Sequence, residues 1–460
     1  MSSELPDDHS GTQHQRSPLP RSNGGSGDQE APDTSCEVSD PPHHAHNFRF
    51  AVLYMVFMRT GWIFKTESIV MPAVLDVIGG AGWLRGCLPM LNRLGQSLPP
   101  MLASDRVRGA RLKKLGLFST TSTMGACFLL LAAIWAMTEG AKSWWLPIVF
   151  LVIYAVFFAA TGINMMVLNT ISGKLIRVDR RGRLSLVGTV LGATIAVCCG
   201  WYFLNLWLVD ESVADGTRSN FEMIFFFTGM TFVAAAFIGL FLKEAPDENH
   251  TQRRGGKDLL LAAYETFKTD RNFRRLAIIA ALFGMYLTLF PHYQRLGRDR
   301  LDLGLSALIP WLLAQNIGAA LFSIPTGWIA DRFGNRLVIQ LILLVLCIAP
   351  ALALFLSWSD DVRPAWFIVV FGLLGLTPVA MRFLNNYTLE IASHGEHPHY
   401  LSTLAFAIAA PPILLSPLIG ALIDWVGFEL IFAIVIGCVF SGWLMAFTLV
   451  EPRKLSSGAK

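Results

Sequence analysis

The chain has 460 residues, of which 53% are hydrophobic and only 15% are charged. Soluble globular proteins carry about 25% charged residues, so a soluble fold of this length is excluded. The net charge is +4, and nothing in its distribution indicates a nucleic-acid partner.

Apolar windows determine the predicted architecture. Each of twelve windows is long enough to cross a hydrocarbon core of about 30 Å as a helix. The alternating segments of a membrane β-barrel are absent. The sequence therefore predicts an all-α membrane protein with twelve transmembrane helices. The windows begin near Phe50, Leu84, Leu115, Trp144, Leu184, Glu222, Arg274, Gly304, Arg336, Pro364, Leu401 and Val426.

Basic residues favour one orientation of these helices. With the N-terminus in the cytoplasm, the cytoplasmic loops hold twenty Lys and Arg residues and the opposite loops hold seven. The positive-inside rule then places both termini in the cytoplasm. We expect a multi-pass protein of the cytoplasmic (inner) membrane.

The polar stretches divide the chain. Residues 1–47 lack Phe, Trp, Tyr and Ile, which predicts a disordered cytoplasmic tail. A six-helix bundle follows over residues 48–242, and a second over residues 274–450. Between them, residues 243–273 form a cytoplasmic linker in which KDLLLAAYETFK has the spacing of an amphipathic helix on the membrane surface. Residues 451–460 are a short cytoplasmic tail.

Charged side chains lie inside the first two predicted helices. Arg59 is near the middle of helix 1 and Arg93 near the middle of helix 2. Each costs about 2.5–3.5 kcal/mol at the centre of a bilayer, so both must face protein or water. For Arg93, a salt bridge with Glu67 explains the charge as well as a substrate role does. Arg59 has no acidic partner at its depth, which favours contact with a solute.

Polar side chains recur in helices 4, 8 and 10. Amides in hydrocarbon need a partner in another helix, in water or in a ligand. A helix–helix hydrogen bond explains any single one, and contact with lipid phosphates is the alternative for the arginine of helix 10. Their recurrence predicts a substrate site that includes Asn164, Gln315, Asn316, Arg382 and Asn385.

The stretch GWIADRFGNR separates helices 8 and 9. Gly327 leaves room for a neighbouring backbone, and Asp331 lies at the membrane edge, where it can face a helix N-terminus. Arg332 and Arg336 are placed for lipid phosphates or for that carboxylate. Gly334 permits the left-handed backbone of a tight turn. The stretch therefore predicts a charge-latched hinge between two helices.

This pattern, between the second and third helices of a six-helix half, resembles the signature loop of the major facilitator superfamily. The resemblance covers residues 48–450. It implies two six-helix bundles around a central cavity in a monomeric transporter that works by alternating access. The first half departs from the pattern: Asp105 and Arg106 are present, but Met101 replaces the first glycine and Gly109 comes one residue late. The resemblance thus implies a weaker latch there.

The resemblance also implies that helices 1, 4, 7 and 10 line the cavity, which adds Tyr286 to the candidate substrate contacts. Arginines with few carboxylates suit an anionic or polyhydroxylated solute.

A proton-coupled transporter also needs a titratable group in the cavity. Glu67 is the first candidate, either as proton carrier or as counter-ion. Asp76, Glu222 and His292 follow, and their positions near a membrane face predict solvated charges.

Two classes of function remain. The first is a secondary transporter of a small polar or anionic solute, with the bilayer as its other partner. The second is a membrane sensor or scaffold of the same fold that does not transport. The sequence has no HExxH, no GxSxG and no phosphate-binding glycine loop. It therefore predicts no enzyme, no cofactor and no metal site.

Overall fold

The computed structural model of the protein describes residues 43–138, 143–208, 220–246, 267–358, 364–392 and 396–451. Most of the predicted N-terminal tail, the central part of the linker and residues 452–460 lie outside these ranges. The predicted amphipathic helix is therefore described only at its last residues, from Phe267.

The first half is built mainly from long helices. The first of them begins at His44, inside the predicted tail. The helices are α1 His44–Phe64, α2 Val70–Ile78, α3 Gly82–Gly109, α4 Lys113–Thr138, α5 Leu146–Leu175, α6 Val178–Leu208 and α7 Phe221–Leu240.

The second half repeats this construction. Short 3-10 turns precede the third and fifth of its helices. The helices are α8 Arg271–Leu287, α9 Phe290–Leu301, α10 Leu308–Phe333, α11 Asn335–Trp358, α12 Ile368–Leu374, α13 Thr377–Ile391, α14 His397–Val426 and α15 Phe428–Ala446.

Ten helical segments of the described residues are long and apolar enough to cross a membrane. They coincide with ten of the twelve predicted windows. The remaining two windows fall on α1 and α3, which carry the intramembrane arginines Arg59 and Arg93. The fold is an all-α membrane protein of two helical bundles.

Three membrane crossings are interrupted at one level. The first breaks between α1 and α2 at residues 65–69, where Thr66 accepts backbone hydrogen bonds from Val70 and Met71. The others break between α8 and α9 and between α12 and α13. Interrupted helices leave backbone groups free to line a cavity, which is where such breaks are tolerated in membranes.

One end of the bundle holds both ends of the described chain, and we call it the terminal end. Here Asn47 exchanges two hydrogen bonds with the backbone of Lys243, and Asn272 accepts one from the backbone of Val450. The first helix of each half is thus tied to the segment that follows its last helix. The same device in both halves supports an internal duplication.

The opposite end is closed by a crossing of α3 and α14. A Cβ on Gly82 would lie 2.0 Å from the backbone oxygen of Gly420, and one on Gly86 would lie 2.2 Å from that of Ser416. Glycine is required here because the two backbones are in direct contact. We call this region, residues 76–86 with 416–424, the closed end.

Candidate functional site

A cavity of about 300 Å³ lies at the level of the three helix breaks. This volume is at the lower limit of small-molecule sites in proteins. It is bounded by the first two crossings of the first half and by three crossings of the second half. Its polar lining consists of Arg59, Thr66, Glu67, Ser68, Asn92, Arg93, Gln315, Asn316 and Thr377, and its apolar lining includes Trp62, Phe290 and Met381.

Both predicted intramembrane arginines line this cavity. No hydrogen-bond or ion-pair partner of the Arg59 guanidinium is found in the described part of the chain. Arg93 donates to Met381 Sδ at 3.5 Å, a weak acceptor that does not balance a positive charge. The cavity therefore presents two guanidinium groups that form no direct ion pair with a carboxylate of the described residues, although the charge of Glu67 acts on Arg93.

The carboxylate of Glu67 is paired with Lys65 and not with Arg93. Lys65 Nζ lies 2.5 Å from Glu67 Oε1, and Asn92 donates to Glu67 Oε2. Of the two alternatives for Arg93, the direct salt bridge with Glu67 does not form in this conformation, although the charge of Glu67 acts on Arg93. The prediction assumed a continuous helix at Glu67, whereas the break at residues 65–69 brings the lysine onto its carboxylate.

The predicted amides of helix 8 lie at the cavity. Gln315 Oε1 accepts a hydrogen bond of 2.7 Å from Ser68 Oγ, which joins the two halves across the cavity. Asn316 donates to Leu312 O of its own helix at 2.9 Å. Gln315 is thus a contact between the halves, whereas the hydrogen bond of Asn316 among the described residues stays within its own helix.

Four other predicted substrate residues do not line the cavity. Asn164 is buried and bonded to Tyr54 and Thr121, so it is a helix–helix contact. Tyr286 is fully buried among apolar side chains. Arg382 and Asn385 are exposed and lie outside the cavity.

The helices that line the cavity differ from the predicted helices 1, 4, 7 and 10. Helix 4, which is α5, contributes no lining residue, whereas helix 2 (α3) and helix 8 (α10) do. The helices that are interrupted, and those that pack beside the breaks, surround the cavity. Asn164 does not line the cavity, and its amide instead donates hydrogen bonds to Tyr54 and Thr120 within the first half.

The closed end contains a buried ionic network that was not predicted from the sequence. Arg85, only 2% exposed, lies 2.5 Å from Asp76 and 3.1 Å from Asp424. Gln294 donates to the second oxygen of Asp76 at 2.7 Å. The network therefore joins α2 and α3 of the first half to α9 and α14 of the second.

Two residues of this region were predicted to be solvated charges, and that prediction is wrong. The Asp76 side chain is 3% exposed, and His292 is fully buried. Neither ring nitrogen of His292 has a hydrogen-bond partner among the described residues. The signal in the sequence was the occurrence of Arg85 and Asp424 at the ends of apolar windows, where each needs a partner. Glu222, by contrast, is partly exposed.

The comparisons with known proteins agree with this geometry. Residues 301–460 match the sequence model of the Major Facilitator Superfamily. A variant of the nucleoside transporter NupG has a similar fold, with a TM-score of 0.69 at 13% identity over 88% of this chain and 100% of that one. The match of residues 301–460 bears out the resemblance to the major facilitator superfamily over that part of the chain, and the solved structure shows a similar fold over most of it.

Two further structures share the superfamily fold. A bacterial homologue of the human lysosomal transporter Spinster, inward-facing and occupied, has a TM-score of 0.62 at 12% identity over 89% of this chain and 97% of that one. The fucose:proton symporter FucP of E. coli has a TM-score of 0.53 at 15% identity over 89% and 99%. No curated protein sequence matches the chain. These neighbours are transporters by name.

The loop that resembles the superfamily signature, from Gly327 to Arg336, joins α10 and α11 at the terminal end. Gly334 has φ +91°, the region that favours glycine, as predicted. Arg336 donates to Phe447 O at 2.7 Å, and the Arg332 guanidinium lies 5.6 Å from the ring centroid of Trp328. Gly327 was expected to admit a neighbouring backbone, but no atom lies within 4 Å of a Cβ built there. These contacts of Arg332 and Arg336 lie within the second half.

The equivalent loop of the first half is organised around a different carboxylate. The side chain of Asp105 lies outside the described residues, and Arg106 is exposed. The buried side chain of Glu244 accepts hydrogen bonds from the backbone of Lys113 and Lys114 at 3.1 and 2.8 Å. It therefore caps the N-terminus of α4, where an anion is stabilised by the helix dipole.

Proposed function

We propose that the protein is a secondary transporter that moves a small polar or anionic solute through the central cavity by alternating access. The observation that carries this proposal is the pair of guanidinium groups, Arg59 and Arg93, at a cavity between the two halves. Unbalanced arginines inside a membrane are costly unless water or a ligand meets them. A carboxylate or phosphate group accepts paired hydrogen bonds from them.

The shape of the molecule supports alternating access. Gly82 and Gly86 of α3 contact α14 at the closed end, whereas Leu98 and Leu102 of the same helix are 48% and 72% exposed. The halves therefore meet at one end and diverge toward the other. With both termini in the cytoplasm of the inner membrane, this is an inward-facing conformation. Epitope tags at the two termini should be accessible from the cytoplasmic side only.

The transport experiment uses the purified full chain in proteoliposomes. A panel of sugars, carboxylates, phosphates and amino acids is tested for uptake, with and without a pH gradient. We expect saturable uptake of a carboxylate or phosphate compound. Dependence on the gradient would support proton coupling, for which Glu67 stays the predicted carrier. A flat response across the panel would instead favour the non-transporting sensor or scaffold.

The decisive variant is Arg59→Gln. Loss of a hydrogen bond from a charged donor costs about 1.5–3 kcal/mol, so uptake of the anion should fall by about 10-fold to 100-fold. Arg49→Gln is the matched control, because Arg49 is an exposed arginine of the same helix that does not line the cavity. Equal uptake by both variants and the unmodified protein would remove Arg59 from the site.

A further inference from the structure

A fully buried lysine lies directly behind the cavity. Lys65 ends the first membrane helix and has no exposed surface, although it does not line the cavity itself. Its Nζ lies 3.5 Å from the ring centroid of Trp62 and 4.6 Å from that of Phe158. Lysine is almost never fully buried unless it is paired. Aromatic faces attract the ammonium but do not neutralise it.

The group that neutralises Lys65 is the single carboxylate of the cavity lining. Lys65 Nζ lies 2.5 Å from Glu67 Oε1. The other oxygen accepts from Asn92, which is held in turn by Gln96. Both oxygens of Glu67 are therefore occupied by donors that belong to the first half. The break at residues 65–69 makes this possible, because it turns the ammonium of Lys65 onto the carboxylate of Glu67, while Asn92 of α3 reaches the other oxygen.

This pairing decides the charge that a solute meets. The lining contains two arginines and one acidic side chain. A free carboxylate beside them would form an ion pair with a guanidinium, for which it has the preferred geometry. Lys65 and Asn92 occupy the two oxygens of Glu67, so that the carboxylate forms no ion pair with either guanidinium, although its charge still acts on Arg93.

We propose that Lys65 is the residue that sets the specificity of the cavity for organic anions, by withdrawing Glu67 from the two arginines. This inference rests on the proposed transport function and makes it more specific. The solute carries a carboxylate or phosphate group that binds the guanidiniums, and an apolar part that contacts Trp62 and Phe290. Lys65 is a positioning residue, since it acts through Glu67 and does not touch the solute.

The test compares Lys65→Met with the double variant in which Glu67→Gln is added. Uptake is measured in proteoliposomes for acetate, benzoate and glucose 6-phosphate, each against its neutral counterpart acetamide, benzamide or glucose. In Lys65→Met the carboxylate is released onto an arginine, so the preference for the anion should fall at least 10-fold. In the double variant no carboxylate remains, and the preference should return to within about 3-fold of the unmodified protein.

The matched control is Lys174→Met. Lys174 pairs with the buried carboxylate of Glu244 at 3.0 Å, at the terminal end and away from the cavity. Its loss should lower the thermal stability without changing the preference between anion and neutral counterpart. All variants are compared as monodisperse protein with equal helix content by circular dichroism, so that a folding defect is not counted as a change in preference.

The outcomes separate the two proposals. If the unmodified protein moves no member of the panel, the transport function fails and this inference fails with it. If it moves an anion but Lys65→Met keeps the same preference, only the role of Lys65 is overturned. That role is also overturned if the double variant is as defective as the single one, because Lys65 would then serve stability alone. A preference for neutral solutes in the unmodified protein would overturn it as well.

Discussion

The two ends of the bundle are held together in different ways. At the terminal end, the hydrogen bonds lie within each half: Asn47 binds the backbone of Lys243 in the first half, and Asn272 binds the backbone of Val450 in the second. At the closed end, the buried guanidinium of Arg85 joins one half to the other by an ion pair with Asp424, whose side chain is 43% exposed. The first arrangement stabilises each half in any conformation. The second stabilises one relative position of the halves, so it is the end that must break for the cavity to open on that side.

This difference also explains where the sequence was misleading. The conspicuous motif, from Gly327 to Arg336, indicates a latch at the terminal end, yet its described contacts stay within the second half. The contacts that join the halves are carried by residues without a recognisable spacing. The motif from Gly327 to Arg336 therefore predicted the position of a loop correctly. It did not predict that the two halves meet at the closed end in this conformation.

The largest effect that tests this comparison is expected for Arg85→Leu. It removes the nearer of the two cations of the buried Asp76 carboxylate and leaves only Arg295, at 3.9 Å. Breaking a buried pair in this way costs up to about 3–5 kcal/mol. Arg300→Leu is the control, because its partner Glu429 and Arg300 itself are 45% and 43% exposed, and such pairs contribute about 0–1 kcal/mol. Thermal unfolding of both variants in detergent measures the difference. Equal losses of thermal stability in the two variants would show that the ion pairs of the closed end contribute no more than an exposed surface ion pair.

A smaller effect is expected for Gly82→Val, which drives the two backbones of the closed end apart. Overpacking of this kind costs about 1–3 kcal/mol and should shift the population toward the state that is open at this end. Spin labels at Trp83→Cys and Trp425→Cys, in a background without the native cysteines, report the change as a longer distance. The control is Gly437→Val, since a Cβ there meets nothing within 4 Å. An unchanged distance distribution would contradict the role assigned to the crossing.

The smallest effects concern the signature loop, where two glycines should respond with opposite signs. Gly334→Ala forces a side chain into φ +91° and against the carboxylate of Glu451, so we expect a loss of about 1 kcal/mol or more. Gly327→Ala lies inside α10 in open space and should gain about 0.5–1 kcal/mol. If Gly327 serves another conformation, its variant should be more stable but slower in uptake. Losses of stability in both variants would mean that Gly327 is already in close contact here.

Much of the fold could be predicted from the sequence because the signals are local. The length of an apolar window fixes whether a helix can cross the bilayer, and ten of the twelve windows coincide with such helices. The cost of an intramembrane charge is local too. Arg59, Arg93 and Glu67 could therefore be assigned to a polar interior, and all three line one cavity.

The partners of these groups depend on the tertiary structure alone. Whether Glu67 meets Arg93 or Lys65 depends on a five-residue break whose position no periodicity shows. Whether Asn164 faces the cavity or Tyr54 depends on how α5 is rotated against α1 and α4. The sequence thus determined which groups had to be kept away from lipid, because the free-energy cost of placing a polar side chain in hydrocarbon depends on that residue alone. The packing of the two halves decided which polar groups bind one another and which remain for a solute. A hydrogen bond or ion pair depends on the distance and direction between two groups, and only the tertiary structure fixes these.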